Sequence, residues 1–175
     1  MRKTVLIIDD QKDQADALVK LLSRAAEDIH FVGASTKDEI DDRIENTFFT
    51  LALIDIRMDK LPYDGISLSK RIAEYNPFSK VVLISAFKDE YWTTIKPLLA
   101  SGKIYDVLDK KPVAEWVPEL IILIRQYYKD YLNNPNEVVN ALSDYYAEAK
   151  NETDRYNKGL KFERFVSMLF QSMGF

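Results

Sequence analysis

The chain contains no cysteine, which removes disulfides, thiolate metal sites and cysteine nucleophiles together. A single histidine, His30, rules out an imidazole-rich metal centre, and its place at the head of an apolar segment reads as a strand start. The five glycines form neither a G-x-G-x-x-G pattern nor a P-loop, so a nucleotide-binding fold finds no support. Basic residues do not exceed acidic ones: 24 Lys and Arg stand against 28 Asp and Glu, a net charge of −4 that argues against a broad nucleic-acid surface. No apolar run is long enough to span a membrane, and the one after Met1-Arg2-Lys3 is too short for a signal peptide. The expectation is a cytoplasmic chain with no membrane partner.

What the sequence does have is short apolar runs that end in acids. Leu51-Ala52-Leu53-Ile54 is too short for a helix and alternates little, so it reads as a strand buried on both faces that runs into Asp55. Thr4-Val5-Leu6-Ile7-Ile8 does the same and ends in Asp9 and Asp10. Ligands of open parallel sheets bind outside the carboxyl ends of the strands, so these acids meet at one spot if the two strands are neighbours. Three ionised carboxylates about 5 Å apart repel by roughly 3 kcal/mol per pair at an effective dielectric near 20. A divalent cation, a lysine or protonation of one acid must relieve that repulsion. An oxygen-only donor set favours a hard cation, and a partly hydrated Mg²⁺ fits best. A lone acid at a strand end more often begins a turn or caps a helix; the doublet together with Asp55 points to a site.

Strand and helix signals alternate five times. A helix from about Asp13 carries Ala15, Leu18, Leu22 and Ala25 at helical spacing, and His30–Ala34 is a second strand. Ser35-Thr36-Lys37-Asp38 opens a helix before Ile40 and Ile44. The loop from Asp59 to Gly65 leads to a helix with Ile66, Ser69, Ile72 and Ala73 on one side, ended by Asn76-Pro77. Lys80–Ile84 is the fourth strand, with Ser85-Ala86 at its carboxyl end. A helix around Trp92, Ile95, Leu98 and Leu99 follows, with Pro97 expected to bend or shorten it and Gly102 to stop it. Ile104–Leu108 is the fifth strand, running into Asp109-Lys110-Lys111-Pro112. This pattern gives the α/β class: a five-stranded, doubly wound parallel sheet of flavodoxin-like order 2-1-3-4-5. A long fifth helix from near Val113 carries Val117, Leu120, Ile121, Ile124, Tyr128 and Tyr131. Another, with Val138, Val139, Leu142, Tyr145, Tyr146 and Ala149, follows the break at Asn133–Asn136. After a polar run to Lys158, a last helix from Leu160 places Phe162, Phe165, Val166, Leu169, Phe170 and Met173 on a face it cannot bury alone.

The acid pair Asp9-Asp10 after strand one, Asp55 after strand three, Asp64-Gly65 in the next loop, Ser85-Ala86 after strand four and a lysine before proline after strand five together resemble the receiver domain of two-component response regulators. The resemblance covers roughly residues 2 to 130. It implies that Asp55 is a phosphoacceptor, charged by a histidine kinase or phosphotransfer protein or by a small phosphodonor, and that the domain signals rather than works as an enzyme. It also implies Mg²⁺ held by Asp10 and Asp55, with Asp9 acting through water and the backbone carbonyl of Arg57 completing the set. Ser85 and the post-strand lysine would meet phosphoryl oxygens. Phosphoryl transfer independently calls for a cation, an ammonium and a hydroxyl around one carboxylate.

Three departures from the family pattern stand out. Two lysines precede the proline: counting from Gly102 and Asp106 selects Lys110, counting back from Pro112 selects Lys111, and Lys110 is preferred with Lys111 as the alternative. The aromatic switch position falls on Val107 or Leu108, with Tyr105 nearby, so an aromatic relay is in doubt. The loop after Asp55 is about two residues longer than usual. Arg57 and Phe87 would flank the pocket.

The expected organisation is a receiver over residues 1–132, a helical connector over 133–158, and over 159–175 the first helix of an output domain that continues past the end of this sequence. The stretch from Lys158 to Phe175 is similar to the opening helix of restriction-endonuclease-like (Mrr-type) domains, and nucleic acid enters only through that missing domain. The tyrosines from Tyr127 to Tyr146 read as a packing or homodimer seam of the fifth and C-terminal helices. The competing function is a phosphate-independent scaffold that mediates protein–protein interaction.

Overall fold

The computed structural model describes residues 3–76, 78–133 and 135–172. Strands β1 (Thr4–Ile8), β2 (His30–Ala34), β3 (Leu51–Asp55), β4 (Lys80–Ser85) and β5 (Ile104–Asp109) alternate with helices α1 (Lys12–Ala25), α2 (Lys37–Asn46), α3 (Gly65–Tyr75) and α4 (Lys88–Ala100). Helices α5 (Val113–Asn133), α6 (Pro135–Asn151) and α7 (Arg155–Ser172) follow. All strand pairs are parallel and the sheet order is β2-β1-β3-β4-β5, the doubly wound topology expected from the alternation. The chain divides into two compact units, one over Lys3–Arg125 and one from Gln126 onward.

Within the first unit, the apolar runs form strands because both faces are covered: β1 and β3 are buried along their whole length, as is β4 from Val81 to Ser85. β1 and β3 pair with Ile8 opposite Ile54, and β3 and β4 with Asp55 opposite Ile84. The residues that follow these apolar stretches therefore leave the sheet side by side. Pairing between β4 and β5 slips by one residue, from Val81 opposite Ile104 to Val82 opposite Asp106, so Tyr105 takes an extra place in β5.

The starts of α2 and α3 are fixed by side chains. Thr36 and Glu39 form a reciprocal capping box on α2, and the Asp64 carboxylate accepts from the Ser67 N–H at 2.7 Å on α3. α1 buries Ala15, Leu18 and Leu22; beyond its end Ala26 is buried, whereas Ala25, expected on the apolar side, is exposed. α4 runs unbroken through Pro97 and buries Ile95, while Trp92 is 46% exposed. α5 buries Leu120, Ile124 and Tyr128 of the face the periodicity predicts and adds Trp116 one turn before them, while Val117 and Ile121 are half-buried.

In the second unit, Tyr146 of α6 packs its ring against Phe162 and Phe165 of α7, with centroids 5.9 and 5.3 Å away. Lys161 adds ion pairs to Glu148 at 2.8 Å and Glu152 at 3.0 Å. The last helix begins at Arg155 rather than at Leu160, because Asp154 inside the polar run accepts from the Asn157 N–H at 2.8 Å and caps it. Its buried residue is Met168, and Val166 and Phe170 are exposed, so the packed face is narrower than the sequence suggests. Met173 and the side chain of Tyr131 lie outside what the structure describes. Among the described residues no helix is long and apolar enough to cross a membrane.

Candidate functional site

The carboxyl edge of the sheet gathers the charged residues. Asp9, Asp10, Asp55 and Ser85 are all buried, at 8%, 6%, 5% and 1% exposure. The Lys110 ammonium lies between β1 and β3, donating to Asp9 Oδ2 at 2.8 Å and to Asp55 Oδ2. Its backbone N–H donates to the Ser85 carbonyl at 2.9 Å, which ties the end of β5 to the end of β4 and aims the side chain. Lys111, the alternative position, pairs instead with exposed Glu119. The slip at Tyr105 accounts for the ambiguity, because one extra residue in a strand exchanges the faces of everything after it.

The remaining oxygens are held from behind. Asp9 Oδ1 accepts from the Gln11 N–H at 2.9 Å and Asp55 Oδ1 from the Arg57 N–H at 3.3 Å. Ser85 Oγ accepts from the Phe87 N–H at 3.0 Å, leaving its own proton to donate. Gly65 allows α3 to start hard against β3: a Cβ there would meet the Asp55 carbonyl oxygen inside van der Waals contact and Ile56 Cα at 2.9 Å.

A cleft of about 410 Å³ opens over this edge, lined by Asp10, Asp55, Arg57, Lys60, Phe87 and Lys110 among others. The Arg57 guanidinium sits 5.6 Å from the centre of the Phe87 ring across it. Asp9 lines a smaller cavity of about 20 Å³ behind the cleft, together with Trp116. Burial pushes the Asp55 carboxyl above its ordinary pKa; Lys110 pulls it down without cancelling that rise, and Asp9 adds to it. For Lys110 burial acts against the ammonium, but the hydrogen bonds to Asp55 and Asp9 outweigh it and the pKa stands above the ordinary lysine value.

Among the described residues, no three His, Cys, Asp or Glu side chains converge as a ready metal-holding group. Asp10 Oδ2 is taken by the Lys60 N–H at 2.9 Å, and Asp9 is shared between Gln11 and Lys110. The donor chemistry nevertheless suits a hard cation: Asp10 and Asp55 both line the cleft and offer oxygen donors, without sulfur or imidazole competitors. Sequence reasoning passed over Lys60 and Trp116. The loop's extra length was the signal for the first, and a large aromatic four residues before Leu120 the signal for the second.

The family model of the response regulator receiver domain matches residues 5–115. The chain belongs to that family. The receiver is 34% identical over 86 residues to the response regulator receiver protein CpdR of Brucella abortus (strain 2308), across 49% of this chain and 68% of that protein. It superposes on a CheY-like receiver domain protein from Methanospirillum hungatei JF-1 with a TM-score of 0.59 at 22% identity, covering 74% of this chain and 99% of that one. TrrA from Thermotoga maritima, solved in complex with Mg(2+)-BeF, gives a TM-score of 0.54 at 19% identity over 70% of this chain and 98% of that one. As a receiver, the chain is a signalling domain, and the two β5 positions at which the sequence put an aromatic relay in doubt, Val107 and Leu108, are half-buried aliphatic residues.

Proposed function

We propose that this receiver accepts a phosphoryl group on Asp55 from a histidine kinase, a phosphotransfer protein or a small phosphodonor. The observation that carries the reading is the placement of Asp55: a buried carboxylate at the end of β3, facing an open cleft and paired with the Lys110 ammonium. An Asp55 oxygen attacks phosphorus in line with the leaving group, the bond to the donor breaks with its electron pair, and an aspartyl phosphate remains. Charge accumulates on the equatorial oxygens during transfer. Lys110 is held where its ammonium, released from Asp55, can pair with one of them, and the Ser85 hydroxyl has a proton to give another. Because the Lys110 backbone is fixed to Ser85, both donors move with the ends of β4 and β5.

Asp10, Asp55 and the Arg57 carbonyl, with Asp9 acting through water, are the groups that would hold Mg²⁺, which when bound neutralises phosphoryl oxygens; the presence of Mg(2+)-BeF on the similarly folded TrrA supports this assignment. Arg57 and Phe87, stacked across the cleft, cover the approach by which water would reach the acyl phosphate. The switch acts on whatever follows α5. We read residues 133–158 as connector and the C-terminal helix, similar to the start of an Mrr-type domain, as the beginning of the output.

Intact-mass measurement after incubation with acetyl phosphate or phosphoramidate and Mg²⁺ tests the reading. One added phosphoryl group is expected on the wild-type chain and none on Asp55→Asn. A wild-type chain that gains nothing from either donor would point to the phosphate-independent scaffold.

A further inference from the structure

The β3–α3 loop reaches back across fifty positions of sequence to the end of β1. There Lys60 makes two contacts with Asp10: its backbone N–H donates to the carboxylate Oδ2 at 2.9 Å and its ammonium donates to the backbone carbonyl at 3.3 Å. Lys60, Asp10 and Asp55 line the same cleft. The amide proton competes with a cation for one lone pair of that oxygen, and an ammonium in the cleft repels any divalent cation entering it.

We propose that Lys60 is a positioning residue that sets the cation affinity of this receiver: the contacts of its loop with Asp10 compete with a divalent cation for Asp10 and Asp55. The inference rests on reading those two acids as cation ligands. Its consequence is mechanical, because Lys60 lies between Asp55 and the Asp64 cap of α3, so cation entry is converted into movement of the segment that leads into that helix.

The test is Mg²⁺ titration of the whole chain by calorimetry in wild type, Lys60→Ala, Lys60→Arg and, as a control on the exposed side of α1, Lys20→Ala, joined to amide hydrogen exchange at residue 60. Lys60→Ala should bind Mg²⁺ about three- to tenfold more tightly at low salt, with the gain shrinking as salt screens the lost charge. Lys60→Arg and Lys20→Ala should stay at the wild-type value. The Lys60 amide should exchange slowly without Mg²⁺ and faster at saturation, a response that general destabilisation does not produce. Equal affinity in wild type and Lys60→Ala, or exchange at residue 60 that Mg²⁺ leaves unchanged, overturns the proposal. Failure of all four proteins to bind Mg²⁺ overturns instead the assignment of Asp10 and Asp55 beneath it.

Discussion

Burial and charge pairing act in opposite directions on Asp55, and the outcome has a sign that can be measured. Because burial raises its pKa in the folded chain, ionised Asp55 costs stability: the wild-type fold keeps its full share below the unfolded carboxylate pKa and loses it as pH rises through the higher folded value. Asp55→Asn should therefore be more stable than wild type at pH 7 by on the order of 1 kcal/mol, with the difference closing as pH falls into the carboxylate range. Urea unfolding of both proteins across that range checks it. Lys110 behaves oppositely. Its raised pKa means that its contribution is complete below the unfolded lysine pKa and fades only as pH climbs through the folded value. Lys110→Ala leaves Asp9 and Asp55 facing each other and should lose about 1–3 kcal/mol at neutral pH, together with a drop of roughly a hundredfold or more in the rate of phosphoryl acceptance, read by acetyl phosphate labelling.

The same carboxylate depends on how β3 meets α3. Gly65 is where the helix can start only without a side chain, so Gly65→Ala must push α3 away from the Asp55 carbonyl. A loss of about 2–3 kcal/mol is expected in denaturant unfolding, with slower phosphoryl acceptance, because the displaced peptide carries the acceptor. Much of this layer could be read from the sequence. β1, β3 and β4 announce themselves because a run of buried apolar residues ends at a polar group where the strand meets solvent, and a parallel sheet puts those ends on one edge. The alternation of elements then leaves few topologies. What escaped depends on distance or on a single residue of register. The slip at Tyr105 decides which lysine turns toward Asp55, and no local pattern encodes it. The Lys60 contact joins positions fifty residues apart, so only the loop's length hinted at it. Trp116 was missed by starting the apolar row of α5 one residue late, and the start of α7 by taking Asp154 for part of a polar linker rather than a cap.

The chain holds a receiver unit over Lys3–Arg125 and a second, helical unit whose α6 and α7 hold each other through Tyr146, Phe162 and Phe165. Tyr146→Ala removes the ring that both phenylalanines contact and should melt the helix pair at lower temperature, a loss of about 1–3 kcal/mol, while phosphoryl acceptance at Asp55 stays within twofold. Circular dichroism melts and phosphodonor labelling of one sample separate the two effects. Borohydride reduction of the chain after acetyl phosphate and Mg²⁺ treatment converts an aspartyl phosphate to homoserine, which peptide mass spectrometry locates. Homoserine at position 55 alone is the expected result; homoserine at another acid, or none in a chain whose intact mass shows a bound phosphoryl group, would contradict it.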